Sequence, residues 1–248
     1  MTQNSRQDFL RKVPVQQRII TALDVPDADT AVQLARDLGD RGRFVKVGLE
    51  LYSAAGPDVL RRLQQTGKDV FLDLKYHDIP NTVAGAAGVA AALGAAMITI
   101  HAAAGRQALA AAATALARTG DPATRPALLA VTVLTSLNDA ELAEVAPSAD
   151  SLTERIVRLA TLAVACGCDG IVCAAADLDF VRQAIGPEPL VVTPGIRPAT
   201  ASLDDQKRVA TPAAAMAAGA DFLVIGRPIT QAANPAAALQ ALSREIGD

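Results

Sequence analysis

Short, nearly uninterrupted apolar runs recur along the chain, separated by longer alanine-rich stretches with helical spacing. The runs are Arg18 to Val25, Phe44 to Leu49, Val70 to Leu72 with a charged continuation, Met97 to His101, Leu128 to Leu134, Gly170 to Cys173, Leu190 to Thr193 and Phe222 to Ile225. Runs this short, rich in Val and Ile, read as strands covered on both faces rather than as helices. Helices are expected from about Asp27 to Leu38, after the second run to about Gln65, from Asn81 to Leu93 and from Gln107 to Arg118. Further helical segments reach about Ala165, then Leu178 to Ile185, Pro212 to Ala218 and Ala236 to Ile246. Pro26 and Asp27 are start signals for the first of them. Eight strands alternating with helices describe a parallel sheet covered by helices. The count and the length favour an α/β fold of the closed (β/α)8 TIM barrel type over an open doubly wound sheet. No Gly-x-Gly-x-x-Gly follows the first strand and no P-loop occurs, which weakens a nucleotide-cofactor fold. No linker divides the chain, so residues 16–248 are expected to form one barrel domain behind a flexible, polar lead-in over residues 1–15.

Composition narrows the function classes. The 248 residues are 51% hydrophobic and 3% aromatic, with no Trp, so the core is built from Ala, Val, Leu and Ile. A net charge of -3 lacks the basic footprint of a nucleic-acid surface. No window has the apolar length of a membrane span, and the first residues lack the apolar centre of a secretory signal. Cys166, Cys168 and Cys173 show no metal-ligand spacing; they are expected to be reduced thiols of a cytoplasmic protein, and no metal site is expected.

The candidate chemistry sits where the apolar runs end. Asp73 and Lys75 follow the third run two residues apart, so they project from one face of the strand, while Asp78 lies past the alternation, before Pro80. A single Asp-x-Lys is commonly a structural ion pair. Here Asp24 ends the first run and Lys46 lies within the second, so five charges from three neighbouring strands share the end of the barrel where such folds place their sites. A packed barrel gains little from burying them, which points to use on a ligand. The loops after strands 7 and 8 carry Pro194-Gly195-Ile196-Arg197 and Ile225-Gly226-Arg227-Pro228. Glycine lets backbone approach phosphate oxygens and arginine supplies a planar fork for them. The polar stretch from Pro198 to Thr211, with Gln206, reads either as a lid over that phosphate or as a plain surface loop. His77 and His101 read as supporting rather than catalytic groups, and Thr135 with Ser136 closes the fifth run.

These residues resemble the orotidine 5'-phosphate decarboxylase family in its bacterial form. The resemblance rests on Ala22-Leu23-Asp24, Val45-Lys46-Val47-Gly48, Asp73 through Thr82 (Asp-Leu-Lys-Tyr-His-Asp-Ile-Pro-Asn-Thr), Val131 through Ser136, Thr193 through Pro198 and Ile225 through Pro228, and it covers the chain from about Ile19 to the last helix. Ala103-Ala104-Gly105 after His101 departs from the expected Ser-Gly type of turn. The resemblance implies loss of carbon dioxide from orotidine 5'-phosphate to give UMP, with no cofactor and no metal, in a homodimer whose sites lie at the subunit interface. It implies that Lys75 protonates carbon 6 of the pyrimidine, that Asp73 sits against the substrate carboxylate and that Lys46 bridges the acids. It further implies that Asp78 and Thr82 reach the partner's site and that Asp24 and Lys46 hold the ribose. Thr135 would meet the pyrimidine edge; Arg227, Gln206 and the Gly226 backbone would hold the phosphate, supported by Arg197.

Two alternatives stay open on sequence. One is a magnesium-dependent sugar-phosphate decarboxylase or aldolase of the same superfamily, for which Glu50 stands near the expected metal-binding acid; the Ile79-Pro80-Asn81-Thr82 continuation favours the pyrimidine reaction. The other is a phosphate-ligand barrel without chemistry, whose mark would be a missing Lys or Asp.

Overall fold

The structure, a computed structural model, describes residues 6–119, 124–198 and 210–247. The strands are β1 (Ile19–Ala22), β2 (Phe44–Val47), β3 (Asp69–Tyr76), β4 (Met97–His101), β5 (Ala127–Val131), β6 (Gly170–Val172), β7 (Leu190–Thr193) and β8 (Phe222–Ile225). Each pairs in parallel with the next and β8 pairs with β1, closing the expected (β/α)8 barrel. Twelve α-helices occur among the described residues. They are α1 (Arg6–Arg11), α2 (Ala28–Asp37), α3 (Leu49–Ala55), α4 (Asp58–Gln64), α5 (Pro80–Ala92), α6 (Arg106–Ala117), α7 (Asp139–Val145), α8 (Leu152–Ala165), α9 (Leu178–Ile185), α10 (Pro212–Ala217), α11 (Arg227–Thr230) and α12 (Pro235–Glu245).

Two apolar layers explain why the strands read as continuous hydrophobic runs. Ile20, Phe44, Phe71, Met97, Leu129, Leu190 and Phe222 point inward and fill the barrel. Their neighbours Ile19, Val45, Val70, Ile98, Leu128, Val191 and Leu223 point outward against the helices. Phe44 meets Phe222 edge to face, with ring centroids 5.4 Å apart, at the N-terminal end of the barrel. Burying such side chains contributes roughly 2–3 kcal/mol each before chain entropy is counted.

Three local expectations are corrected. The lead-in is not free chain from Arg6 onward: α1 sits below the barrel, and Leu10 and Val13 are buried in the inner cluster, so apolar contact orders a segment whose composition looked polar. Strand β2 stops at Val47 rather than Leu49, because Gly48 is the N-cap of α3, and Leu49 is exposed. Strand β5 stops at Val131 rather than Leu134, whose side chain is exposed in the following loop.

Candidate functional site

Inward positions one step above the apolar filling carry the charges. Phe44 is followed two residues on by Lys46, Phe71 by Asp73, and Met97 by Thr99, so the alternation that buries an aromatic or aliphatic side chain below aims a polar one upward. The resulting cavity, about 490 Å³, opens at the C-terminal ends of the strands. Asp24, Lys46, Asp73, Lys75, Thr135, Arg197, Gly226 and Arg227 all line it, together with Phe71, Val172, Pro194 and Gln231.

The charges form one relay. The Lys46 Nζ donates to Asp24 Oδ1 at 2.9 Å and lies 3.8 Å from Asp73 Oδ2. The Lys75 Nζ donates to the same Asp73 oxygen at 2.9 Å. Asp73 is nearly buried, with 12% of its side chain exposed, whereas Asp24 stands 57% exposed at the mouth. Gly48 leaves room for this relay: a Cβ there would lie 2.9 Å from the Lys46 Nζ and 3.3 Å from Asp24 Oδ1 and would push those side chains aside. Four cations (Lys46, Lys75, Arg197, Arg227) face two carboxylates (Asp24, Asp73), so the lining carries an excess of positive charge suited to an anionic ligand.

Lys75 is held in an unusual backbone. Its φ is 50°, a left-handed conformation that costs an L-residue about 1 kcal/mol or more. The β3–β4 register shifts between Leu72 and Tyr76, and the Lys75 N–H donates to Thr99 Oγ1 at 2.8 Å. The neighbouring Tyr76 phenol has its pKa pushed up to about 12, first by burial and then by Tyr52, so it stays neutral there.

Arg197 and Arg227 approach from different elements. Arg197 follows Gly195, whose φ of 80° turns the chain after β7, and its N–H donates to Ala210 O at 3.1 Å. Arg227 opens the four-residue α11, and Gln231, which caps that helix, joins the lining. Gln206 lies outside the described residues.

Asp78 and Thr82 do not join this cavity. Asp78 is exposed and accepts from the Ile79 N–H at 2.6 Å, and both residues line a separate hollow on the outer side of Lys75. Ile79, the N-cap of α5, and Val89 within that helix are exposed apolar residues. His77 stacks on His101 with centroids 5.2 Å apart, and His101 Nδ1 accepts from the Ala103 N–H. Glu50 lies in α3, exposed and away from the cavity lining. Among the described residues no group of three or more His, Cys, Asp or Glu side chains could hold a metal ion. Thr99 and Gln231 were not anticipated. The signals were a lone hydroxyl residue inside Met97-Ile98-Thr99-Ile100 and a glutamine one helical turn after Arg227.

Comparison with known proteins agrees with this geometry. The model of the orotidine 5'-phosphate decarboxylase / HUMPS family matches residues 17–242. The orotidine 5'-phosphate decarboxylase of Halorhodospira halophila is 51% identical over 234 residues, covering 94% of this chain and 98% of that protein. That of Alkalilimnicola ehrlichii is 52% identical, covering 92% and 96%. The crystal structure of the orotidine 5'-phosphate decarboxylase from Lactobacillus acidophilus superposes with a TM-score of 0.83 at 40% identity, covering 94% of this chain and all of that one.

Proposed function

Because the chain belongs to the orotidine 5'-phosphate decarboxylase / HUMPS family, we propose that its relay of alternating charges carries out the reaction of its decarboxylase relatives with Lys75 as the proton donor. The enzyme decarboxylates orotidine 5'-phosphate to UMP, a step of pyrimidine synthesis. The observation that carries the residue assignment is the unbroken order Asp24–Lys46–Asp73–Lys75 facing two arginines across one cavity.

The chemistry follows from that order. The bond from carbon 6 to the carboxylate breaks, carbon dioxide leaves, and the electron pair stays on a ring carbon that resonance barely stabilises. A fixed ammonium beside that carbon stabilises the developing charge and then gives it a proton. Lys75 fills this role: Asp73 aims its Nζ, and the strained backbone fixes where its side chain starts. Asp73 faces the substrate carboxylate, and Lys46 bridges Asp73 and Asp24, offering its remaining donors with Asp24 to the ribose hydroxyls. Thr135 meets the pyrimidine edge. Arg227, the Gly226 backbone and Gln206 hold the phosphate, with Arg197 in support. Gripping a phosphate remote from the reacting carbon supplies binding energy that orders the charges around it. No cofactor takes part in this scheme.

The reading makes the barrel, with α1 packed beneath it, one catalytic domain and the active unit a homodimer in which Asp78 and Thr82 enter the neighbouring site. Their exposed position outside their own cavity, next to the exposed apolar Ile79, supports this. The cytoplasm is the compartment that suits three unpaired thiols. No helix among the described residues is long and apolar enough to cross a membrane. Mixing tests the shared site. Lys75→Ala and Asp78→Asn chains, each inactive alone, regain activity on random re-pairing because roughly one site in four is then whole. Failure of mixed dimers to recover any UMP formation overturns the crossing of Asp78.

A further inference from the structure

We propose that Thr99 is a positioning residue for catalysis, its hydroxyl closing a ring that fixes both the backbone and the ammonium of Lys75. The inference rests on the reading of Lys75 as proton donor.

The ring is traced by hydrogen-bond direction. The Lys75 N–H can only donate, so Thr99 Oγ1, 2.8 Å away, accepts. That leaves the single hydroxyl hydrogen for Asp73 Oδ1, at 2.9 Å. Asp73 Oδ2 in turn accepts from Lys75 Nζ at 2.9 Å. Backbone amide, threonine hydroxyl, carboxylate and ammonium thus close on the same lysine. The two oxygens of Asp73 are divided, one for Thr99 and the other for Lys75 and Lys46, so the carboxylate cannot rotate without breaking a contact.

The location gives the ring its purpose. Lys75 is the one non-glycine residue with positive φ among the described residues, and the β3–β4 register shifts there. A residue in that conformation persists only where its surroundings hold it. Its N–H, shifted out of register, finds the Thr99 hydroxyl on β4. Thr99 is fully buried, so no water competes for that place.

The fold contains its own controls. Thr21 and Thr193 are also buried strand threonines, and their hydroxyl oxygens have no hydrogen-bond partner among the described residues. Strand propensity accounts for those two, since valine would fill the same space. It does not account for the direction of both bonds at Thr99.

The test compares Thr99→Val, Thr99→Ser and Thr193→Val in steady-state turnover of orotidine 5'-phosphate, with UMP affinity measured on each. Thr99→Val should lose tenfold or more in kcat, about 1.4 kcal/mol, with KM and UMP affinity close to wild type. Thr99→Ser, which keeps the hydroxyl, should recover most of the rate, and Thr193→Val should lose none. A kcat for Thr99→Val within about threefold of wild type, or equal losses in Thr99→Val and Thr193→Val, overturns the proposal. Should Thr99→Val not fold, Thr99→Ala and Thr99→Ser make the same comparison, and equal rates for those two overturn it. Lys75→Ala separates the two readings. If that variant keeps turning over, the proton-donor assignment fails. If it is inactive while Thr99→Val is unimpaired, only the role of Thr99 fails.

Discussion

Both ends of the barrel carry buried acids, but the acids are used in opposite ways. At the N-terminal end, Asp169 accepts both forks of Arg125, at 2.6 and 2.7 Å, and also the Leu128 N–H. Asp221 likewise accepts from Arg182 and from the Val191 N–H. Each of these carboxylates is committed to protein groups in a planar, directional pairing that ties a strand to its neighbours. At the C-terminal end the cations that hold Asp73 are two lysines. Each ammonium is a compact charge with donors to spare, and Asp73 is shared between the two. The contrast teaches how to tell a structural charge from a functional one. A structural acid is closed by one arginine and a backbone amide, whereas a functional acid belongs to a relay with donors left over for a ligand.

The largest effect on stability expected from breaking this contrast lies at the closed end. Asp169→Ala leaves Arg125 without its carboxylate in a poorly solvated position and should cost about 3–5 kcal/mol in urea unfolding. The kcat of the protein that remains folded should hardly change. A fall in kcat matching the fall in stability would remove the division of labour between the two ends. At the open end, Arg227→Ala should raise KM for orotidine 5'-phosphate by a factor corresponding to roughly 2–3 kcal/mol, that of a charge-assisted contact, with little change in unfolding. Orotidine, which lacks the phosphate, should react equally poorly with the variant and the wild type.

The smallest effect concerns the histidine stack beside the relay. Burial, then His77 and Lys75, lowers the pKa of His101 below its usual 6.5. The unfolded chain therefore takes up a proton that the native chain refuses. Stability is whole above about pH 6.5 and declines as pH falls below that value. Thermal melts from pH 7.5 to 5 should show a downward slope on the acid side, and His101→Gln should flatten it.

Much of this architecture was legible as pattern. Strands β7 and β8 and helix α9 have the bounds that their apolar runs define, because each run is flanked by proline, glycine or charge. The convergence of Asp24, Lys46, Asp73, Lys75, Thr135, Arg197 and Arg227 on one cavity follows from strand ends in a closed parallel barrel. What stayed hidden depends on packing rather than on pattern. The positive φ of Lys75 arises from pairing with β4, which alternation along β3 does not encode. The place of Leu10 under the barrel depends on an opening that exists only once eight strands have closed. Thr99 read as an ordinary strand residue because threonine suits strands whether or not its hydroxyl is used.

If the open end works through the Lys75 ammonium, single-turnover UMP formation by Lys75→Ala is the decisive measurement. The variant chain should melt near the wild-type temperature, still bind UMP, and form UMP slower by about 10⁴-fold or more, having lost both the proton donor and the fixed charge. A folded Lys75→Ala enzyme with turnover within tenfold of wild type would contradict it.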